Sequence, residues 1–255
     1  MELCREAYVR KSQTGRGQVL VLYEAEPAEL ADLNSRQCDI IPVSVCCLSR
    51  IGHTDLLHSL ASGFDVIHMQ VCASEQDIPH QRREVELVQA LGGLGRVLVF
   101  DRDTGLSRRL AASVFPFPSV TPDVLAMGSR RDTARASAAA LLPASMDRVS
   151  LPDQAPYGSI SLDEELCNHC SSCVWVCPSD ALSFTENGCE LSFVESQCFQ
   201  CGLCITICPQ RALSMEAAMD LSAAAVLPHL LAGRNDNLGN VEETASGPVQ
   251  AEDPS

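Results

Sequence analysis

Cys167, Cys170, Cys173 and Cys177, followed by Pro178, return 31 residues later as Cys198, Cys201, Cys204 and Cys208, followed by Pro209. Eight of the fourteen cysteines thus stand in one pattern, C-x-x-C-x-x-C-x-x-x-C-P, written twice. Three thiolates two residues apart can wrap round three irons of a cubane, while the next cysteine points toward a different cluster. Two runs therefore predict two 4Fe-4S clusters with exchanged fourth ligands. Cluster 1 takes Cys167, Cys170, Cys173 and Cys208, and cluster 2 takes Cys198, Cys201, Cys204 and Cys177. Two other uses of eight cysteines exist, a structural zinc tetrathiolate and an extracellular disulfide framework. Neither accounts for the third cysteine at the same short spacing or for the proline after each fourth.

The elements around the ligands repeat as well. Ala181-Leu182-Ser183 returns as Ala212-Leu213-Ser214, and Ile160-Ser161 as Leu191-Ser192. Each half reads as strand, cluster loop, short helix, strand. Residues 158–216 resemble the bacterial-type two-cluster ferredoxin domain, with all eight ligand positions and both prolines matching. The resemblance implies an α+β ferredoxin-like fold. Val174, Trp175, Val176, Ile205, Thr206 and Ile207, between third and fourth ligands, are expected to form a dry shell. Burial beside a cluster accounts for Trp175 and Phe199 more simply than a role as electron conduits, and His169 reads as an exposed histidine.

Charge divides the chain. Residues 1–150 carry 16 Lys plus Arg against 18 Asp plus Glu, whereas residues 151–255 carry 2 against 15. So acidic a second half argues against nucleic acid and anionic lipid and favours a redox protein partner with a basic docking face. It also disfavours adding an electron and predicts low cluster potentials. No uninterrupted apolar stretch approaches the roughly 18 residues of a membrane span, and no secretory leader is visible, so no membrane insertion and a reducing, cytoplasmic setting are expected.

Before the clusters, β-branched runs at 17–23, 39–45, 64–71 and 96–100 alternate with helical periodicity at 27–34, 54–61, 81–91 and 105–112. The alternation predicts an α/β domain over residues 1–115, built on a small doubly wound parallel sheet. Ligands of such sheets sit beyond the carboxyl ends of the strands, where Cys46, Cys47 and Cys72 fall, with Arg50, Gly52 and His53 in the loop and Thr54 placed to cap the next helix. Buried structural thiols are the plainer reading of these cysteines. Cys47-Leu48-Ser49-Arg50-Ile51 and Cys72 resemble elements of the iron-sulfur (delta) subunit of methyl-viologen-reducing hydrogenase. Asp77 stands where that family has a further cysteine, and Leu48-Ser49 replaces its Ser/Thr-Gly, which argues against a third, 2Fe-2S cluster. The order of parts also resembles the C-terminal half of iron-sulfur proteins associated with formate dehydrogenases.

Residues 92–95 (Gly-Gly-Leu-Gly) follow a helix and precede a strand, the wrong order for a dinucleotide loop, and read as a helix stop. His58, His68 and His80 are given no role. Residues 116–157, rich in proline, read as a linker containing a helix near 123–142. An apolar helix is expected at 217–231, and disorder from 233 on within the acidic tail to 255. The functional expectation is an iron-sulfur electron-transfer protein without catalysis of its own. A sensor or assembly factor, or an oxidoreductase subunit with an unrecognised N-terminal site, are the alternatives.

Overall fold

The four β-branched runs pair as one parallel sheet, ordered β2-β1-β3-β4. This emerges from a computed structural model that describes residues 2–25, 37–101, 106, 107, 110, 124, 126–185 and 190–233. After helix α1 (Glu2–Thr14) come β1 (Gly17–Tyr23), β2 (Cys38–Ser44), helix α2 (His53–Ala61), β3 (Val66–Gln70), helix α3 (Ile78–Val88) and β4 (Val97–Phe100). Both sheet faces are apolar because alternate side chains of a strand point oppositely. Leu20, Leu22, Ile67 and Met69 join a core with Leu56, Leu57 and Leu60 of α2. Val19, Val21 and Phe100 pack with Leu106 and Leu110. The helix expected at 27–34 lies outside the described residues, as does most of that at 105–112.

Gly52, rather than Thr54, caps α2: its N–H donates to Asp55 Oδ2 at 3.1 Å, and Thr54 lies inside the helix. A free helix N–H needs an acceptor, and a carboxylate three positions on reaches it better than a hydroxyl already within the first turn. Beyond α3 the chain makes one widened turn, Gln89–Gly93, and stops at Gly92 with φ 100°. A Cβ there would lie 2.8 Å from Leu141 Cβ, so the glycine stop expected from sequence also permits a close helix approach.

That approach is to helix α4 (Arg130–Leu141), which the linker reading did not anticipate as part of a core. Ser129 and Asp132 cap it reciprocally, and Ala134 and Ala138 are fully buried against the α2 side of the sheet. Small alanines let α4 lie close on α2, so a helix that reads as part of a linker becomes core on contact.

A clasp follows. Strand β5 (Arg148–Ser150) pairs antiparallel with β10 (Ala218–Asp220), on either side of the cysteine-bearing region. Between them lie β6 (Ser159–Leu162), helix α5 (Ser172–Val176), β7 (Leu182–Phe184), β8 (Glu190–Phe193), helix α6 (Leu203–Ile207) and β9 (Leu213–Glu216). Strands β6 and β9 pair, as do β7 and β8, and β11 (His229–Gly233) adds to β8. The helix expected at 217–231 is therefore absent. Strand β10, a 3₁₀ turn at Ala223–Val226 and β11 stand in its place. Pro228 cannot continue a helix, and two strand edges offer the backbone partners instead. Met219, fully buried, enters the core of the parallel-sheet domain with Ala155 and Tyr157.

Candidate iron-sulfur centre

The two cysteine runs fold alike because their backbones take the same rare turns. Positive φ occurs at His169, Ser171 and Asp180 (54°, 67° and 54°) and again at Gln200, Gly202 and Arg211 (55°, 75° and 52°), each 31 residues on. Left-handed residues in a tight loop turn successive N–H groups toward one concavity, the arrangement that cradles anionic groups. Ser171 and Gly202 then start α5 and α6, single-turn helices that carry the third cysteine of each run.

The thiols gather in two pockets. Cys167, Cys170, Cys173 and Cys208 line one of about 400 Å³, walled by Leu162, Phe184, Leu191 and Leu213. Cys198, Cys201, Cys204 and Cys177 line the other, of about 310 Å³, walled by Ile160, Leu182, Leu203 and Met215. Each fourth cysteine thus sits with the other half's triplet. Among the described residues no three His, Cys, Asp or Glu side chains converge on a point as for a single ion, and no cysteine forms a disulfide.

Hydrogen bonds converge on the sulfurs. Gln200 N–H donates to Cys198 Sγ and Ala212 N–H to Cys208 Sγ, both at 3.4 Å. The Ser172 hydroxyl and N–H hold the Cys170 thiol below its ordinary range. Burial pushes Cys177 up, but the N–H groups of Ser179, Leu182 and Ala181 outweigh it and leave that thiol lowered. Burial raises Cys173 and Cys198, and Cys204 to about 11. Four soft donors per pocket, N–H groups aimed at sulfur and apolar walls are the donor set that a 4Fe-4S cluster requires. The residues fit the group.

The expected dry shell forms only in part. Val174, Val176 and Ile205 pack inward, whereas Trp175 is 88% exposed and Phe199, Thr206 and Ile207 are exposed too. A one-turn helix has only one face to bury, and α5 and α6 turn that face toward the cysteines. His169 is half-buried and lines the first pocket.

At the sheet edge, Cys46 is exposed, Cys47 sits 3.0 Å from Ser49 Oγ and Cys72 is buried. The Glu24 carboxylate bridges this edge, accepting from Leu48 N–H at 2.6 Å and Ala73 N–H at 3.2 Å. It thereby ties together the loops beyond the carboxyl ends of β2 and β3, the edge where ligands of such sheets lie.

A second group of residues, of which sequence reasoning singled out His53 alone, joins the two parts. Tyr157 is buried, with its hydroxyl 2.7 Å from His53 Nε2, and burial pushes its phenol up to about 12. His53 Nδ1 lies 2.7 Å from Glu84 Oε2, which also accepts the His53 N–H. Desolvation would raise Glu84, but these bonds outweigh it and hold the carboxyl below its ordinary range. On the other side of Tyr157, the Arg131 guanidinium stacks 4.4 Å from its ring centroid and 5.3 Å from that of Phe199. It donates to the carbonyls of Pro156 and Cys198, both at 2.6 Å, and of Ser196 at 3.2 Å. Arg135 pairs with Glu195 at 3.2 Å, both side chains nearly inaccessible. No spacing pattern connects positions 53, 84, 131, 135 and 157, and only the fold brings them together.

Comparison with known proteins meets this geometry at the cysteine runs. No curated protein matches the chain. Residues 159–220 match the family model described as a 4Fe-4S dicluster domain, and this stretch is a ferredoxin-type iron-sulfur domain that supports at least one 4Fe-4S cluster.

Proposed function

We propose that the chain is an iron-sulfur electron carrier with two 4Fe-4S clusters, one per pocket, exchanging single electrons with a redox protein. The observation that carries this reading is that each run's fourth cysteine lines the pocket of the other run's triplet. Bound there, each cluster would supply one-electron chemistry with little rearrangement, which leaves the protein the tasks of placement and tuning. The cysteines hold and space the clusters, the loop N–H groups stabilise charge on sulfur, and the apolar walls limit water. Pairing of β6 with β9 and of β7 with β8 fixes the two pockets side by side, as a ferredoxin-like fold would.

The partner we infer is basic. The exposed Trp175 stands on the same domain as exposed Asp163, Glu164, Glu165 and Asp180, an apolar contact within an acidic surface. The parallel sheet, which we read as doubly wound, serves as a docking module with no cluster of its own. A hydrogenase-like or formate-dehydrogenase system is the partner class that the order of parts suggests. The deciding experiment is iron and acid-labile sulfide per chain, with reduced-state EPR, on protein prepared without oxygen. About eight irons and an interacting two-cluster spectrum are expected; four irons, or zinc in place of iron, would refute the reading.

A further inference from the structure

The two halves of the iron-sulfur domain are built alike but sit in different electrostatic surroundings. Within residues 158–216 the sequence offers one cation, Arg211, against eight Asp and Glu. The second half gains two more from α4. Arg131 donates to the Cys198 carbonyl, and among the described residues it forms no ion pair, only bonds to three carbonyls and contacts with two rings. Arg135 pairs with Glu195. The counterpart of Glu195 in the first half, 31 residues earlier, is Glu164, which is exposed alongside Asp163 and Glu165. Thus Cys198 meets a half-buried guanidinium, whereas its counterpart Cys167 follows three acidic residues.

We propose that Arg131 is a tuning residue: its charge, lent by the parallel-sheet domain, makes the cluster of Cys198, Cys201, Cys204 and Cys177 the more easily reduced of the two. The proposal rests on the two-cluster reading above. Two features oppose it. Asp180 lies beside the second pocket and Arg211 beside the first, the reverse polarity, but both are exposed and are screened by water and salt. Cys198 and Cys204 are also more buried than their counterparts, and exclusion of solvent by itself disfavours adding negative charge. The half-buried Arg131 is screened less than those exposed charges, and its guanidinium donates to the carbonyl of the residue that bears the sulfur. An electron entering from the partner therefore comes to rest on the cluster nearer the parallel-sheet domain.

The test is stepwise anaerobic reduction of the full chain, following the assigned, paramagnetically shifted Cys β-CH₂ NMR signals, with iron counted on the same samples. In the wild-type chain the Cys198, Cys201, Cys204 and Cys177 signals should change first. Arg131→Met should make that cluster at least tenfold harder to reduce, a fall of about 59 mV for one electron, and leave the other unchanged. Arg131→Lys, which keeps the charge and loses the planar fork, should restore most of the difference. First reduction at Cys167, Cys170, Cys173 and Cys208 in the wild type overturns the proposal, as does an Arg131→Met protein with full iron and unshifted potentials. If Arg131→Met sheds iron, the wild-type order and Arg131→Lys still decide. A wild-type chain with one cluster would instead sink the two-cluster reading.

Discussion

Removing Arg135 should reveal how strongly α4 is bound to the iron-sulfur domain. Its side chain is 9% exposed and that of Glu195 4%, with contacts at 3.2 and 3.4 Å. Glu195 has one further donor, Asp220 N–H at 3.2 Å, and Arg135 also donates to the Asp220 carbonyl. At an effective dielectric of about 20, unit charges at this separation attract by roughly 5 kcal/mol, much of it offset by the cost of burying them. Losing one partner removes the attraction and keeps the cost, so Arg135→Met should destabilise the chain by about 3–5 kcal/mol, while Arg135→Met/Glu195→Met should recover most of that loss. Anaerobic urea unfolding, followed by far-UV circular dichroism and by cluster absorbance, measures both. Burial raises the folded-state pKa of Glu195 above its ordinary 4.5. Its favourable contribution is therefore complete below about pH 4.5 and is lost as pH rises through the folded value, more deeply without Arg135. The deficit of Arg135→Met should thus grow from acid toward neutral pH. A deficit under about 1 kcal/mol at neutral pH, or a double variant no better than the single one, would refute the argument.

Other outcomes follow from the same geometry. Cys170→Ser and Cys201→Ser should each impair one cluster and lower iron per chain, whereas Cys47→Ser, at the sheet edge bridged by Glu24, should leave iron unchanged by elemental analysis. Glu84, held below its ordinary 4.5 despite burial, contributes stability that is present above about pH 4.5 and disappears as pH falls through its lowered value. Glu84→Gln should accordingly flatten the acid limb of a melting-temperature profile. Gly158→Ala would drive a Cβ into the Glu216 carbonyl and the Gln200 amide, so β6 must separate from β9. Unfolding should then begin at the pocket holding Cys198, seen as early loss of cluster absorbance on heating.

What the sequence discloses here is mainly local. Ligand spacing, the repeat of 31 residues and the glycine stop at Gly92 are set by short-range geometry, and the paired positive φ values at His169 and Gln200 express that repeat in the backbone. The four β-branched runs of the parallel sheet and the helical runs at 54–61 and 81–91 were legible for the same reason, since alternation records what a strand buries. The failures share a cause in long-range partners. Ala134 and Ala138 look like filler until α2 lies against them, and residues 217–231 have helical composition but find strand edges waiting at β5 and β8. Trp175 was expected inside because aromatics usually are, yet its one-turn helix spends its inner face on Cys173 and Val176. Arg131 was invisible because the carbonyls it joins belong to Pro156, Ser196 and Cys198, scattered along the chain.

The pairing of β5 with β10 makes the iron-sulfur part an insertion: its two ends leave and re-enter the parallel-sheet domain side by side, and Met219 beyond the second end completes that domain's core. The host therefore cannot finish its own packing until the insert has been synthesised and its ends drawn together. Loop closure costs less the more compact the insert, so a cluster that compacts it should also help the host to close. Assembly of iron and completion of the parallel-sheet core become one cooperative event, and a chain short of iron would betray itself through a loosened parallel-sheet domain. The same geometry makes the insert exchangeable, because any module whose ends meet at the width of one strand pair could be carried at this clasp.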